Sequence, residues 1–411
     1  MKYRLTSPSL IKASVTLPTS KSISNRVLIL NALSKNAQSI ENISDSDDTK
    51  VLQKALSDTS GIIDIGAAGT AMRFLTAYFA TTPGQRVLTG SERMKKRPVK
   101  VLADALRQLG ASIRYTEEDG YPPLLIEGKA LEGGTIEISG DISSQYISAL
   151  LMVAPTLKKG LHVNITGELI SAPYVELTLQ LMKTFGVESK WEENRIDIPP
   201  QPYTSTPYRV EGDWSAASYW YEIAALCPNA EIHLNGLFRN SLQGDAKVAG
   251  IFERLGVTTV FSGEEVILTN NGKKPDCFEY NFVNEPDLAQ AVAVTCALLK
   301  IPFRFEGVQS LKIKETDRIE ALRTELGKLG YQLDKSDGRA LSWNGVFSEP
   351  CQEAVIHTYD DHRMAMAFAP VCLKTRAVTI VDPLVNSKSY PLFWNDLQAA
   401  GFGILKLDKK G

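Results

Sequence analysis

Apolar helices of about a dozen residues recur along the chain, and each one opens on small or polar residues. The residues after each opening are apolar at helical spacing, which predicts buried helices. Strand-type runs such as LHVNITG, AEIHLNG and AVTIVD lie between them. The predicted helices are SKSISNRVLILNAL (20–33), GTAMRFLTAYFA (69–80), SSQYISALLMVA (143–154), SAASYWYEIAAL (215–226), PDLAQAVAVTCALL (286–299) and DHRMAMAFAPVCL (361–373).

A second set of helices ends in an apolar residue followed by glycine, the residue that favours a helix C-terminus. These glycines are separated by 76, 70, 74 and 71 residues, and they are Gly110, Gly186, Gly256, Gly330 and Gly401. The helix openings from Gly69 to Asp361 recur every 72 or 74 residues, but the step from Ser20 to Gly69 is only 49 residues. A repeat of this kind predicts six α/β units, three in each of two similar domains, with the first unit shortened.

Composition narrows the class of protein. The 411 residues, 44% hydrophobic and 22% charged, predict a globular protein of two or three domains. A net charge of −2 argues against a nucleic-acid binder with a broad basic surface. No apolar run approaches the length of a membrane span, so we expect a cytoplasmic protein. The cysteines and histidines show no metal-ligand or disulfide spacing, so we expect no metal; they are Cys227, Cys277, Cys296, Cys351, Cys372, His162, His233, His357 and His362.

Cationic side chains recur at or near the predicted helix starts. Helix N-termini carry unpaired N–H groups and a partial positive charge, which makes them anion sites. A single lysine or arginine at such a place is most often a surface charge, but recurrence at equivalent points of a repeat favours a shared anion site. Like charges that converge destabilise a fold unless an anion fills the site. The cations are Lys21, Arg26, Arg73, Arg97, Lys314, Arg318, Arg363 and Lys388.

Hydroxyl and amide side chains accompany these cations, and each has a structural alternative as a helix cap. They are Ser22, Thr70, Ser143, Ser144, Gln145 and Ser171. Gly69 would let a ligand approach the backbone closely, although a lone G-x-x-G pattern is weak evidence.

Two carboxylates also stand among the cations, Asp287 and Glu315. Asp287 could instead cap a helix. The apolar stripe Ile319, Leu322, Leu326 and Leu329, projected back one turn, reaches Glu315, which predicts a first-turn glutamate or a site residue at the helix N-terminus. Carboxylates among lysines and arginines are ionised and suited to accept a proton, which indicates acid–base chemistry on an anionic small molecule.

Several segments together resemble the 5-enolpyruvylshikimate-3-phosphate synthase family. The resemblance extends from about Leu17 to Phe402, and KETDR and DHRMAM are its most specific parts. The segments are PTSKSISNR, GAAGTAMR, LTGSERMKKRP, GDISSQYISALLM, SAPYVELT, KIKETDRI, YDDHRMAMAF and DPLVNSKSYP.

The resemblance implies a two-domain inverse α/β barrel-like fold of six βαβαββ-type repeats. We expect a discontinuous domain of residues 1–20 and 212–411 and an inserted domain of residues 21–211. It also implies transfer of the enolpyruvyl group of phosphoenolpyruvate to the 5-hydroxyl of shikimate 3-phosphate, with release of phosphate and without metal or cofactor. This reaction belongs to the shikimate pathway of aromatic amino-acid biosynthesis. We expect a monomer without nucleic-acid or membrane partners.

Site residues follow from the same resemblance. Asp287 is expected to be the base on the 5-hydroxyl, and Glu315, with Lys21, is expected to exchange protons with the enolpyruvyl methylene. Shikimate 3-phosphate is expected to contact Lys21, Ser22, Arg26, Ser143, Ser144, Gln145, Ser171, Tyr174, Asp287, Ser310 and Lys314. Phosphoenolpyruvate is expected to contact Lys21, Gly69, Arg97, Gln145, Arg318, Arg363 and Lys388.

Three positions depart from the family pattern. Ala67 replaces an asparagine, Phe74 replaces a proline that often follows the motif arginine, and Ser310 replaces an asparagine. Two alternatives remain open. A UDP-N-acetylglucosamine enolpyruvyl transferase shares the repeat architecture, but the loop GSERMKKRP after Thr89 lacks the cysteine usual in that enzyme. A non-catalytic anion-binding homologue would be expected to have lost a site carboxylate or arginine.

Overall fold

The computed structural model describes residues 1–334, 339–349 and 351–407. Elements are numbered in chain order. The α-helices of the described residues are α1 Lys21–Leu33, α2 Asp47–Ser57, α3 Gly69–Thr81, α4 Glu92–Lys95, α5 Lys100–Gln108, α6 Ser144–Val153, α7 Ala172–Thr184, α8 Trp214–Leu226, α9 Val248–Glu253, α10 Ala289–Leu298, α11 Arg318–Lys328, α12 His362–Phe368 and α13 Phe393–Ala399. Short 3₁₀ turns span Ala154–Thr156, Gly244–Lys247, Pro286–Leu288, Gln309–Ile313, Ala369–Leu373 and Pro383–Lys388.

The β-strands of the same residues alternate with these helices. They are β1 Lys2–Thr6, β2 Lys12–Thr16, β3 Ile40–Glu41, β4 Ile62–Asp64, β5 Gly84–Thr89, β6 Ser112–Tyr115, β7 Leu124–Gly128, β8 Gly134–Ser139, β9 Leu161–Thr166, β10 Lys190–Glu192, β11 Arg195–Ile198, β12 Tyr208–Arg209, β13 Glu231–Asn235, β14 Val257–Ser262, β15 Glu265–Asn270, β16 Phe278–Asn281, β17 Phe303–Glu306, β18 Ala340–Trp343, β19 Glu353–His357, β20 Ala377–Val381 and β21 Gly403–Leu407.

The chain divides into two compact units. Unit 1 consists of Met1–Pro18 and Glu211–Gly411, and unit 2 consists of Thr19–Val210. The boundaries expected from the sequence, after residues 20 and 211, lie two residues and one residue further along the chain. Each unit has its own hydrophobic core.

Unit 2 contains two four-stranded sheets and one two-stranded sheet. The strand orders are β4-β5-β7-β6, β10-β11-β9-β8 and β12-β3. Each sheet contains one parallel pair, and the larger sheets continue with antiparallel pairs. Helices α1, α3 and α6 pack against one another. One strand of the two-stranded sheet, β3, lies in the first repeat, which agrees with the shortened first step of the sequence.

Unit 1 repeats the same plan. Its sheets have the orders β14-β15-β13-β2, β19-β20-β1-β21 and β16-β17-β18, again with one parallel pair in each. The first two strands of the chain complete the sheets of this unit by pairing with β13, β20 and β21. Helices α8, α10 and α12 pack against one another, and every residue of α10 is buried.

The predicted helices are confirmed, and they begin within three residues of the expected positions. The five predicted cap glycines all have positive φ, from 80° at Gly186 to 102° at Gly110. Such φ values favour glycine because they place a Cβ against the backbone. Within the described ranges, none of the helices is both long and apolar enough to cross a membrane.

Glu222 is an exception to the apolar character of α8. It is fully buried, both of its carboxylate oxygens lack a hydrogen-bond partner, and burial raises its pKa well above the usual value. The folded protein therefore holds Glu222 in its neutral form, whereas the unfolded chain ionises it above about pH 4.3. The free energy of unfolding decreases with pH on this account.

We predict that Glu222→Met stabilises the protein, because it removes an unpaired polar group from the core. The gain in the free energy of unfolding should increase between pH 5 and pH 7, by at most about 1.4 kcal/mol per pH unit. Denaturant unfolding at both pH values measures it. Glu222→Gln, which is polar but does not titrate, should lose the pH dependence and keep the cost of the unpaired group. A gain that is the same at both pH values would contradict the account.

Candidate active site

Arg318, the first residue of α11, is the centre of an ion cluster in unit 1. Its side chain is 1% exposed. Its Nε donates to Oδ2 of Asp361 at 2.8 Å, Nη1 to Oδ1 of Asp287 at 3.1 Å and Nη2 to Oε2 of Glu315 at 2.9 Å. A planar guanidinium can serve several carboxylates at once because its N–H groups point in fixed, different directions. The unit 1 ion cluster consists of Asp287, Lys314, Glu315, Arg318, Asp361, Arg363 and Lys388.

Asp287 lies in the 3₁₀ turn before α10 and does not cap that helix, whose N-cap residue is Leu288. It also accepts from Nη2 of Arg363 at 2.7 Å, and Nζ of Lys314 lies 3.9 Å from its Oδ1. Burial by itself raises the pKa of Asp287, but the charges of Arg363, Lys314 and Arg318 outweigh burial and hold the pKa far below the usual range. Asp287 is therefore an ionised carboxylate at neutral pH.

Glu315 corrects one sequence-based expectation. The apolar stripe predicted a first-turn position, but α11 begins only at Arg318, because Asp317 caps it by accepting from the backbone N–H groups of Ile319 and Glu320 at 3.1 Å each. Glu315 lies before the helix, where Oε1 forms an ion pair with Nζ of Lys388 at 3.0 Å. The side chains of Glu315 and Lys388 are 16% and 14% exposed, so the pair is partly buried.

Asp361 is a member of the cluster that the sequence reasoning missed. It is fully buried, caps α12 by accepting from the backbone N–H of Arg363 at 2.9 Å, and accepts from Nε of Arg318. The only available signal was its place at a repeat start, equivalent to that of Asp287. Asp361 therefore fixes the orientation of Arg318 relative to the start of α12.

Lys21, the first residue of α1, forms a second charged group in unit 2. Its Nζ lies 3.3 Å from Oδ2 of Asp48, whose side chain is 6% exposed. Sequence reasoning missed Asp48, because it lies in the acidic run SDSDD, where no single residue stands out. Ser20 caps the helix that carries Lys21 by accepting from the backbone N–H of Ile23 at 3.4 Å.

Arg26 lies one turn further along α1 and is 2% exposed. Its guanidinium donates to Oγ1 of Thr178 at 2.7 Å, to Oγ of Ser148 at 3.3 Å and to the carbonyl oxygens of Ser22 and Tyr174 at 2.9 and 3.2 Å. Burial lowers its pKa to about 10, so it stays charged at neutral pH. Arg26 thus connects α1, α6 and α7 through its hydrogen bonds, and its direct contact with a ligand stays a prediction.

Gly69, the first residue of α3, faces the guanidinium of Arg97. A Cβ added at Gly69 would lie 2.9 Å from Cζ of Arg97, so a larger residue here would displace the guanidinium. Arg73 stabilises this turn through hydrogen bonds to its backbone. It is 4% exposed and donates to the carbonyl oxygens of Gly69 at 3.2 Å and Pro98 at 3.1 Å. Arg73 therefore holds the segment next to Arg97, whereas the sequence placed it among the site cations.

The polar side chains of α6 are also brought together with α3. Nε2 of Gln145 donates to Oγ1 of Thr70 at 3.2 Å, so Thr70 does not cap α3. Ser143 is the N-cap of α6 and accepts from the backbone N–H of Gln145 at 3.4 Å, and Ser144 is the first helical residue. These contacts place Gln145 and Thr70 on adjacent helix starts of unit 2.

The remaining predicted residues occupy helix starts and turns. Ser171 precedes α7 with a φ of 57°, a left-handed conformation that is uncommon for serine. Tyr174 lies in the first turn of α7, Ser22 in the first turn of α1, and Ser310 in the 3₁₀ turn that precedes Lys314. In the ranges described, no group of three or more histidine, cysteine, aspartate or glutamate side chains has the geometry to hold a metal ion.

Comparison with known proteins identifies the family. The family model for EPSP synthase (3-phosphoshikimate 1-carboxyvinyltransferase) matches residues 5–61 and 52–397. The chain belongs to the EPSP synthase family. A relative from Bacteroides fragilis (strain YCH46), named 3-phosphoshikimate 1-carboxyvinyltransferase, is 56% identical over 405 residues, which cover 98% of this chain and 99% of the relative.

A more distant relative and a solved structure also match nearly the whole chain. A relative of the same name from Mannheimia succiniciproducens is 35% identical over 432 residues, covering 97% of this chain and 99% of its own. A solved structure of EPSP synthase from Acinetobacter baumannii superposes with a TM-score of 0.79 at 22% identity, covering 98% of this chain and 100% of that chain. The predicted α/β fold class of the enolpyruvyl transferase family is thereby confirmed.

We predict that Asp361→Asn lowers the free energy of unfolding by about 3 kcal/mol, because it leaves Arg318 buried with one charge fewer beside it. Asparagine can still accept the capping hydrogen bond from Arg363, so the change isolates the charge. Denaturant unfolding measures the loss. Glu320→Gln is the matched control, since it removes an exposed partner of Arg323 and should cost less than about 1 kcal/mol. Equal losses in both variants would contradict a structural role of the Arg318 charge.

Proposed function

We propose that this chain transfers the enolpyruvyl group of phosphoenolpyruvate to the 5-hydroxyl of shikimate 3-phosphate and releases phosphate. Its relatives are named 3-phosphoshikimate 1-carboxyvinyltransferase. The observation that carries the proposal is the unit 1 ion cluster, in which Asp287 is ionised among three cations in a chain of the EPSP synthase family. A carboxylate held in this way can accept a hydroxyl proton while the cations bind anions.

Shikimate 3-phosphate is proposed to bind cationic and small polar side chains at or near the helix starts. Lysine and arginine suit its phosphate, and the serine hydroxyls can donate to phosphate and carboxylate oxygens. The proposed contacts are Lys21, Ser22, Arg26, Ser143, Ser144, Gln145, Ser171, Tyr174, Asp287, Ser310 and Lys314. Arg26 already donates to four acceptors of unit 2, so its part in this set includes fixing Ser22 and Tyr174.

Phosphoenolpyruvate is proposed to bind Lys21, Gly69, Arg97, Gln145, Arg318, Arg363 and Lys388. The guanidinium groups can hold its carboxylate and phosphate through paired hydrogen bonds. Two phosphates and two carboxylates bring about six negative charges at neutral pH, which the seven lysines and arginines among the proposed contacts can attract. Arg318 is directed to three protein carboxylates, so Arg363 and Arg97 are the more accessible guanidinium groups for the ligand.

The reaction divides into an addition and an elimination. In the addition, Asp287 accepts the proton of the 5-hydroxyl while the 5-oxygen of shikimate 3-phosphate bonds to C2 of phosphoenolpyruvate. C3 of phosphoenolpyruvate takes a proton from Glu315 or Lys21, and the product is a tetrahedral intermediate. In the elimination C3 returns a proton to the same group, the double bond forms again and the C–O bond to phosphate breaks, while the departing phosphate takes the proton held by Asp287. Oε1 of Glu315 lies 3.0 Å from Nζ of Lys388, a distance at which a proton can pass between the two groups.

The low pKa of Asp287 has a consequence for this mechanism. A carboxylate stabilised by three cations is a weak base. Anionic substrates that bind Arg363 and Lys314 withdraw part of that stabilisation, so Asp287 becomes more basic only when the site is filled.

We also propose a cytoplasmic monomer, in keeping with a biosynthetic enzyme that uses small diffusible substrates.

We predict that phosphate release from phosphoenolpyruvate requires shikimate 3-phosphate and that Asp287→Asn lowers kcat by about 100-fold or more, since the variant cannot accept the proton. A coupled phosphate assay measures both. Asp382→Asn is the matched control in unit 1, because its side chain is 63% exposed and it should leave kcat within about twofold. Wild-type protein that binds both substrates without releasing phosphate would indicate a non-catalytic homologue.

We predict that Gly69→Ala raises the KM for phosphoenolpyruvate by about tenfold, because the new methyl group displaces the guanidinium of Arg97. The KM for shikimate 3-phosphate should change much less, and steady-state kinetics with each substrate varied in turn separates the two. Gly327→Ala, where a Cβ meets no atom within 4 Å, is the control and should leave both constants unchanged. A similar rise in both KM values would point to general damage to unit 2.

A further inference from the structure

Asp245 is a buried carboxyl group in unit 1 that the proposed mechanism does not use. It lies in the 3₁₀ turn Gly244–Lys247 and is 3% exposed. The hydroxyl of Ser215 donates to its Oδ2, whereas Oδ1 is buried without a hydrogen-bond partner. A carboxyl group that is half satisfied in a buried place needs either a proton or a neighbouring cation.

Helix α8 connects Asp245 to the ion cluster. Ser215 and Tyr219 are four residues apart on α8, so their side chains lie on one face of the helix, about 6 Å apart. Asp245 contacts Ser215, and Nη1 of Arg363 donates to the hydroxyl of Tyr219 at 3.4 Å. Asp245 and Arg363 therefore both contact α8 through side chains one turn apart, and their charges interact. Nη2 of Arg363 also donates to Asp287 at 2.7 Å.

The same 3₁₀ turn also contacts the segment that carries Asp287. Lys247, two residues after Asp245, forms an ion pair with Oε1 of Glu285 at 2.7 Å, and the side chain of Glu285 is 1% exposed. The hydroxyl of Tyr280 donates to Oε2 of Glu285 at 3.1 Å. Glu285 precedes Asp287 by two residues, so the turn is fixed to both α8 and the Asp287 segment.

The charged and titratable groups around Asp245 come from each element near it. Burial and the charge of Asp287 raise its pKa to about 7, Asp213 at the start of α8 adds to the rise, and Arg363 and Ser215 oppose it. The charge of Asp245 contributes to the raised pKa of Tyr280. Glu253, the charged residue of α9, is exposed. Asp245 thus changes its protonation state near neutral pH, beside Arg363.

We propose that Asp245 is a positioning residue for Arg363, and that its neutral carboxyl group keeps the guanidinium charge available to the carboxylate of phosphoenolpyruvate. Ionised Asp245 adds a second negative charge next to Arg363, which competes with an anionic ligand. The proposal rests on the proposed function, since it names phosphoenolpyruvate as the ligand of Arg363. It assigns no proton transfer to Asp245.

The test is the pH dependence of the KM for phosphoenolpyruvate at saturating shikimate 3-phosphate, from pH 6 to pH 8.5, in wild type and Asp245→Asn. The ratio of the wild-type KM to the variant KM should rise by about threefold to tenfold over this range, because only wild type gains a charge. Titration of the substrate's own phosphate is common to both proteins and cancels in the ratio. A ratio that is constant with pH would overturn the proposal.

Ser215→Ala provides a second, opposite test that keeps Asp245 in place. The hydroxyl of Ser215 favours the ionised form of Asp245, so its loss should move the rise in KM to higher pH. This variant also carries the test if Asp245→Asn fails to fold. A rise at the wild-type pH in Ser215→Ala would overturn the assignment of the titration to Asp245.

Asp396→Asn is the matched control. Asp396 is a partly buried aspartate of unit 1 with a raised pKa caused by burial, and it accepts from the hydroxyl of Tyr390 at 2.7 Å. Its removal should leave the KM profile as in wild type, and a profile as flat as that of Asp245→Asn would overturn the specific role of Asp245. Absence of turnover in wild type at every pH would instead contradict the proposed function, whereas turnover with parallel KM profiles would overturn the role of Asp245 alone.

Discussion

The buried positive charge of Arg318 constrains the rest of the candidate site. A guanidinium that is 1% exposed must find its compensating charges within the fold, because the cost of burying an unpaired ion is several kcal/mol. Its three carboxylate partners come from three separate segments: the 3₁₀ turn before α10, the loop before α11 and the start of α12. Packing α11 in place therefore brings Asp287, Glu315 and Asp361 together.

This arrangement has a chemical consequence. Asp287 and Glu315 stabilise the cations and are also the carboxylates that transfer protons in the proposed reaction. The cations hold the pKa of Asp287 far below its usual range, so it is ionised and only weakly basic. In the proposed mechanism, anionic substrates compete with Asp287 and Glu315 for Arg363, Lys314 and Lys388. Substrate binding would then itself make Asp287 more basic. The cluster has four cations and three carboxylates, so it retains positive charge for an anionic ligand. The buried arginines of unit 2 have a different kind of partner: Arg26 and Arg73 donate largely to hydroxyl and carbonyl oxygens and not to carboxylates.

The sequence predicted the repeats well, because period and cap glycines depend on local patterns. It also predicted the charged residues that unit 1 assembles, except Asp361, chiefly through their recurrence at or near helix starts. It failed where partners are distant in sequence. Asp48 and Asp245 have no local signature, and their importance depends on contacts with Lys21 and Ser215 from other segments. The start of α11 was misplaced because helical periodicity ignores capping, and Asp317 begins the helix after Glu315.

The central claim is that the cluster around Arg318 catalyses enolpyruvyl transfer, and the identity of the product tests it most directly. The protein would be incubated with shikimate 3-phosphate and phosphoenolpyruvate labelled with ¹³C at C2, and the products examined by NMR. The account predicts that the label appears in an enol ether at the 5-oxygen of shikimate 3-phosphate, with one equivalent of phosphate released. Label that stays in phosphoenolpyruvate, or that appears in free pyruvate at the same rate with and without shikimate 3-phosphate, would contradict it.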